Sequence, residues 1–148
     1  MAGWRVGMLG GASHYLQNIL RFKTNMDSGM FRPLQSAAVE ALGMDATWYE
    51  GMNAIYKMRQ EKVFELLDLL DCEYDNAQTG MFVWAKIPNK YKNGFELSDE
   101  ILYKARVFIT PGGIFGSQGE GYIRASLCNE VDVFEADIKR VAKALDLV

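Results

Sequence analysis

The most constraining stretch of this sequence runs from Thr47 to Asp71. Met52, Ile55, Tyr56, Val63, Leu66, Leu67 and Leu70 keep helical phase across it, and neither glycine nor proline interrupts residues 52–70. Thr47-Trp48-Tyr49-Glu50 has the T-x-x-E form of a capping box, in which two side chains satisfy free N–H groups of the first turn. The expected helix has about 24 residues and, at a rise of about 1.5 Å per residue, a length of about 36 Å. That is longer than the core of a compact domain of 148 residues, so the helix should project or connect. Its middle, Lys57 to Lys62, is more polar than its ends, and Arg59-Gln60-Glu61-Lys62 reads as a solvated face.

Shorter elements flank it. Residues 4–9 read as a buried strand ended by Gly10-Gly11. Tyr15, Leu16, Ile19, Leu20 and Phe22 put one apolar face on a helix over 12–22, and Thr24 to Met30 is a polar loop. A second helix is expected over 32–42, with Pro33 in its first turn and Gly43 as a left-handed cap. Beyond Asp71, Met81 to Ile87 is strand-like and Pro88 stops it. Ser98 caps a short helix with Asp99 and Glu100 in its first turn. Val107 to Thr110 is a strand ended by Pro111, and Tyr122 to Cys128 is another. A last helix opens near Asp132 and lines up Phe134, Ile138, Val141, Ala142 and Leu145. Helices first, then strands mixed with helices, give an α+β fold: a small, mostly antiparallel sheet packed with helices on one side, plus one long connecting helix.

Composition removes several function classes. Sixteen Lys and Arg against nineteen Asp and Glu leave a net charge of −3, which excludes a strongly basic nucleic-acid footprint. No apolar run reaches the roughly 18 residues of a membrane span. Cys72 and Cys128 are far apart and read as reduced, buried, structural cysteines. His14 is the only histidine, so no zinc set can be assembled, and it too reads as structural. No basic stretch leads into an apolar core at the start, so a cytoplasmic protein is the default. The chain enters at once into apolar Trp4 to Leu9, which suggests that its natural beginning lies upstream. Met8, Met52, Met58 and Met81 read as packing residues.

Few residues can carry chemistry. In Tyr122-Ile123-Arg124-Ala125-Ser126-Leu127, period two puts Ile123, Ala125 and Leu127 on one face and Tyr122, Arg124 and Ser126 on the other. An arginine centred there can receive a carboxylate through two parallel hydrogen bonds, or it can form an internal ion pair, for example with Glu120. The five glycines between Gly112 and Gly121 either cradle a phosphate or permit a tight turn. They lack the Lys-Ser/Thr ending of a P-loop, and a strand follows them. Arg5, set in an apolar strand, needs an anionic partner. No nucleophile with a paired base can be built, so the residues describe part of a binding site without its reactive group.

Three blocks, in order, carry a resemblance. They are Ala2-Gly3-Trp4-Arg5-Val6-Gly7; Lys23 to Phe31 followed by Gln35 to Leu42; and Thr110 to Gly116 with Gly119-Glu120-Gly121-Tyr122-Ile123-Arg124. Gly80 to Pro88 fits between them. Together they resemble the class I/II aminotransferases, fold type I enzymes that use pyridoxal 5'-phosphate (PLP). The resemblance covers nearly the whole chain. It implies a remnant of the large PLP-binding domain over 1–43 and the C-terminal small domain, with the long connecting helix, over 44–148.

It also implies roles. Arg5 matches the arginine that binds the PLP phosphate. Arg124 matches the arginine that grips the substrate α-carboxylate, and Phe115 lies near it. The Asn25 to Met30 loop belongs near a homodimer interface and the partner subunit's site. The family's Schiff-base lysine lies a few residues upstream of Met1. The 148 residues therefore hold no catalytic residue, bind PLP only weakly and are inactive alone. The parent moves an amino group between an amino acid and a 2-oxo acid, without nucleic acid or membrane. Asp27-Ser28-Gly29 leans toward the branch containing LL-diaminopimelate, alanine and aspartate aminotransferases. Two rivals are another fold type I enzyme, a C–S lyase or decarboxylase, and a free-standing binding module.

Overall fold

The computed structural model describes residues 3–146, and Ala2 of the first motif lies outside them. Two compact units appear, Met1–Glu50 and Gly51–Val148. In the first, α1 spans Ser13–Met26 and α2 spans Arg32–Leu42. The first helix outruns its expected end because its last turn is tied locally. Thr24 Oγ1 and Asn25 Nδ2 donate to the Arg21 carbonyl at 3.0 and 2.7 Å, and Lys23 pairs with Asp27 at 2.8 Å. Pro33 sits in the first turn of α2, where its missing N–H costs nothing. Gly43 is right-handed, with φ −85° and ψ −2°, and its N–H bonds directly to the Val39 and Glu40 carbonyls. The expected left-handed cap is thus not used.

The strand expected over residues 4–9 is absent. Residues 3–5 form a turn with Arg5 left-handed at φ 55°, and residues 6–10 are irregular. A strand exists only against a neighbouring backbone, and the described residues of this unit supply none to Trp4–Leu9. Trp4, Met8 and Leu9 are exposed, as are Tyr15, Ile19, Leu20 and Phe22 along α1. Arg5 is exposed as well, not buried as the apolar strand implied.

The long helix is real. Here α3 runs from Ala46 to Leu69, 24 residues. Its start is set by Asp45, whose Oδ1 accepts from Trp48 N–H at 3.1 Å. Thr47 is already inside the first turn, so the capping box starts two residues too late. Aspartate is a strong cap and needs no glutamate to complete it. The polar middle is not uniformly solvated. Arg59 is buried, with its guanidinium bonded to the Leu127 carbonyl at 3.3 Å and to Glu130 at 2.5 Å. Met58 faces solvent rather than the core.

The sheet is antiparallel throughout, with strands β1 (Glu73–Tyr74), β2 (Phe82–Lys86), β3 (Thr110–Pro111) and β4 (Tyr122–Ser126) in the order β1-β2-β4-β3. Alternation puts Val83, Ala85, Ile123 and Ala125 on one face, all buried. Two helices pack on that face: α4, Gly94–Ala105, brings Leu97 and Ile101, and α5, Val131–Ala144, brings Phe134 and Val141. Val63, Leu66 and Leu67 of α3 complete the core. Full burial of one such side chain stabilises the fold by about 1.5–3 kcal/mol. This is the expected α+β arrangement.

Three local readings shift. Asn93, not Ser98, caps α4, accepting from Glu96 N–H at 3.0 Å. Ser98 lies buried inside the helix, where its hydroxyl donates to the Ile109 carbonyl. The strand expected at 107–110 pairs only at Thr110 and Pro111, although Val107 and Ile109 are buried in the core. Cys72 is buried but Cys128 is exposed. Burial, then the neighbouring Asp71 charge, pushes the Cys72 thiol up to about 12.

A thiol reagent added to native protein should label Cys128 quickly and Cys72 only after unfolding; equal rates would contradict the burial of Cys72. Glu100 is held below the usual carboxylate range, first by the bond from Lys104 at 2.6 Å and then by the Tyr91 hydroxyl at 2.6 Å. Its contribution is full above about pH 4 and is lost as pH falls through the lowered value. Glu100→Gln should therefore lower Tm at neutral pH, with the gap closing in acid. A gap independent of pH would refute the pairing.

Candidate carboxylate-binding site

The face of the sheet turned away from the core carries Phe82, Trp84 and Lys86 from β2, with Tyr122, Arg124 and Ser126 from β4. The register sets Trp84 directly across from Arg124 and Phe82 across from Ser126. Phe82 is thereby the diagonal neighbour of Arg124 on the same face, within reach of a long side chain.

Arg124 lies against two rings. Its guanidinium carbon lies 4.1 Å from the Phe82 centroid and 4.2 Å from the Phe115 centroid. Nε is buried without a hydrogen-bond partner, and the terminal nitrogens are not. Among the described residues no carboxylate comes within ion-pair distance, so the internal pair with Glu120 does not form. Glu120 instead offers its backbone carbonyl to Gly94 N–H at 2.7 Å. A half-buried cation lying against two aromatic rings, with open terminal donors, has the chemistry to receive a planar anion.

The glycine-rich segment supplies the second ring. It folds as two 3-10 turns, Gly112–Phe115 and Ser117–Gly119. The backbones of Gly112 and Gly119 approach so closely that a Cβ on either would strike the other's carbonyl oxygen. The tight turn is thus what the glycines are for, and it delivers Phe115 to Arg124. Trp84 braces Phe115 edge-on, with centroids 5.5 Å apart. Trp84 is fixed in turn by Gln78, whose amide accepts from Trp84 N–H at 2.7 Å and donates to its carbonyl at 2.9 Å. An open depression of about 460 Å³ beside these rings is lined by Glu73, Asp75, Gln78, Trp84, Lys86 and Tyr122, among others.

The structure therefore brings together Arg124 and Phe115, both singled out in the sequence. Phe82, Trp84 and Gln78 were not. Phe82 and Trp84 had a usable signal, since period two puts them on one face of a strand. The pairing register that sets them beside Arg124 is not written in either strand alone. Arg5 belongs to the other unit. Among the described residues it has no ion-pair partner, and its exposed guanidinium meets the chemical requirement for holding a phosphate. His14 is exposed, its ring 4.0 Å from that of Tyr15.

The close approach of the two turns gives a paired prediction. Gly119→Ala should destabilise the protein by about 1–3 kcal/mol through backbone overlap. Gly121→Ala, where a Cβ meets open space, should be nearly neutral. Equal unfolding midpoints in urea for the two variants would contradict the turn geometry.

Comparison with known proteins gives the family and the fold. The family model for aminotransferase class I and II matches residues 1–145. The LL-diaminopimelate aminotransferase of Maridesulfovibrio salexigens is 34% identical over 143 residues, which cover 97% of this chain and 37% of that protein. The enzyme of the same name from Halothermothrix orenii is 39% identical over 127 residues, 86% of this chain and 32% of that protein. An aromatic aminotransferase from Pyrococcus horikoshii superposes with a TM-score of 0.81 at 26% identity, covering 100% of this chain and 41% of that one. The chain thus spans about a third of the length of the curated relatives it matches. With a family match along almost its entire length, the chain belongs to the class I and II aminotransferases.

Proposed function

We propose that this chain supplies the carboxylate-binding part of a PLP-dependent aminotransferase that moves an amino group between an amino acid and a 2-oxo acid. The observation that carries the reading is Arg124: a guanidinium packed against Phe82 and Phe115, with no carboxylate of the described residues paired to it. Amino acids and 2-oxo acids share one group, the carboxylate next to the reacting carbon. Gripping it bidentately fixes the reacting carbon without distinguishing the two substrates, as an enzyme that alternates between them requires.

The cofactor fits the residues present. Arg5 would hold its phosphate through the guanidinium fork. When bound, PLP supplies the electron sink for charge developing at the α-carbon. Phe115 and Trp84 would exclude water from the arginine–carboxylate pair, which strengthens it. In this reading residues 1–43 belong with a large PLP-binding domain and residues 44–148 form the small domain. The Asn25 to Met30 loop lies near a homodimer interface, and the protein works in the cytoplasm. On the same reading the 148 residues alone carry no amino-transfer activity. The relatives named as LL-diaminopimelate aminotransferases make a diamino-acid substrate the first to assay.

In the PLP-loaded enzyme, Arg124→Ala should raise KM for the amino acid and the 2-oxo acid alike, by about ten- to a hundred-fold, since it removes a charge-assisted pair. Unchanged KM for both would sink the assignment. The product separates reactions: amino transfer consumes the 2-oxo acid in step with amino acid, whereas ammonia or carbon dioxide release independent of 2-oxo acid would overturn the transaminase reading.

A further inference from the structure

We propose that Phe82 is a positioning residue: with Phe115 it clamps the Arg124 guanidinium in one plane, so that a carboxylate meets its terminal nitrogens end-on and orders little on arrival. The proposal rests on the carboxylate reading of Arg124 and adds to it a residue, and a direction of approach.

Four observations converge. The two phenyl rings stand at nearly equal distances from the guanidinium carbon, 4.1 and 4.2 Å. One ring alone would leave the cation free to swing away from it, and a second ring as close to the same guanidinium restricts that freedom. Nε is buried and unpartnered, so the side of the fork that includes it is closed to a ligand. What remains is the edge formed by the two terminal nitrogens, which matches the two oxygens of a carboxylate. The two jaws are also held independently. Phe82 is fixed by strand pairing, opposite Ser126 on β4. Phe115 is fixed by the turn and by the edge of Trp84.

Phe82 is nevertheless 41% exposed. A large aromatic residue open to water contributes little to the core, which lies on the other face of the sheet. Its position is explained by what it touches. Arginine carries several rotatable bonds, and ordering them at the moment of binding weakens a complex. A side chain already held flat has met that cost during folding.

The test uses the 148-residue protein with pyruvate as probe and its neutral amide, pyruvamide, as control. The side-chain Nε–H signal of Arg124 reports on the clamp by NMR. In the wild type it should sit upfield under the two rings, exchange slowly with water, and move saturably with pyruvate but not with pyruvamide. Phe82→Leu should weaken pyruvate binding about five-fold and speed Nε–H exchange, and Phe82→Tyr should restore both. Phe82→Met, which keeps apolar bulk without a ring, should behave as Phe82→Leu does. Unaltered Tm in these variants separates positioning from stability. Wild-type affinity and exchange in both Phe82→Leu and Phe82→Met would overturn the clamp while leaving Arg124 as the carboxylate site. A wild-type Arg124 signal that pyruvate does not move would overturn the carboxylate reading itself, and the clamp with it.

Discussion

The antiparallel pairing of Phe82–Lys86 with Tyr122–Ser126 is the constraint on which the rest depends. Five residue pairs fix its register, and period two then sorts every side chain. Val83, Ala85, Ile123 and Ala125 go to the face that α4 and α5 cover. Phe82, Trp84 and Arg124 go to the other. A slip of one residue would put Arg124 into the apolar core and lift Ile123 or Ala125 to the surface. The hydrophobic effect that stabilises this unit therefore also sets where its one half-buried, unpaired arginine points. Stability and the proposed function share a cause here, although they use opposite faces.

A strand can aim a cation but cannot cover it. Cover comes from the turns between Gly112 and Gly119, which fold back tightly enough to set Phe115 over Arg124. Only residues without a Cβ permit that approach. Gln78 extends the logic by one step. Its side chain pairs with the Trp84 backbone as another strand would, and Trp84 supports Phe115. Arg59 ties the far end of β4 down, joining α3 to Leu127 and to Glu130 at the start of α5.

The sequence was most legible where local chemistry decides the structure. The long helix, the α+β class, the two central strands and the face that carries Arg124 all follow from periodicity and from glycine and proline positions. The misreadings have one common cause, which is that periodicity does not name a partner. Trp4 to Leu9 has a strand's composition, yet no strand lies beside it among the described residues. Arg59 has a surface residue's chemistry, yet Leu127 and Glu130 sit where its guanidinium can reach them. Caps were misplaced by a few residues because Thr47 and Ser98 compete with Asp45 and Asn93, and the better acceptor at the true boundary prevails. The aromatic clamp was half visible. Phe115 came from the resemblance, whereas Phe82 needed the register of two strands more than thirty residues apart.

The central claim is that Arg124 is a preordered receptor for a carboxylate. A crystal structure of the protein grown with a 2-oxo acid tests it most directly. The account predicts two parallel hydrogen bonds from the terminal nitrogens of Arg124 to the two carboxylate oxygens, with Phe82 and Phe115 unmoved on either side. An Arg124 swung out to Glu120, or a carboxylate bound elsewhere while the clamp stands empty, would contradict it.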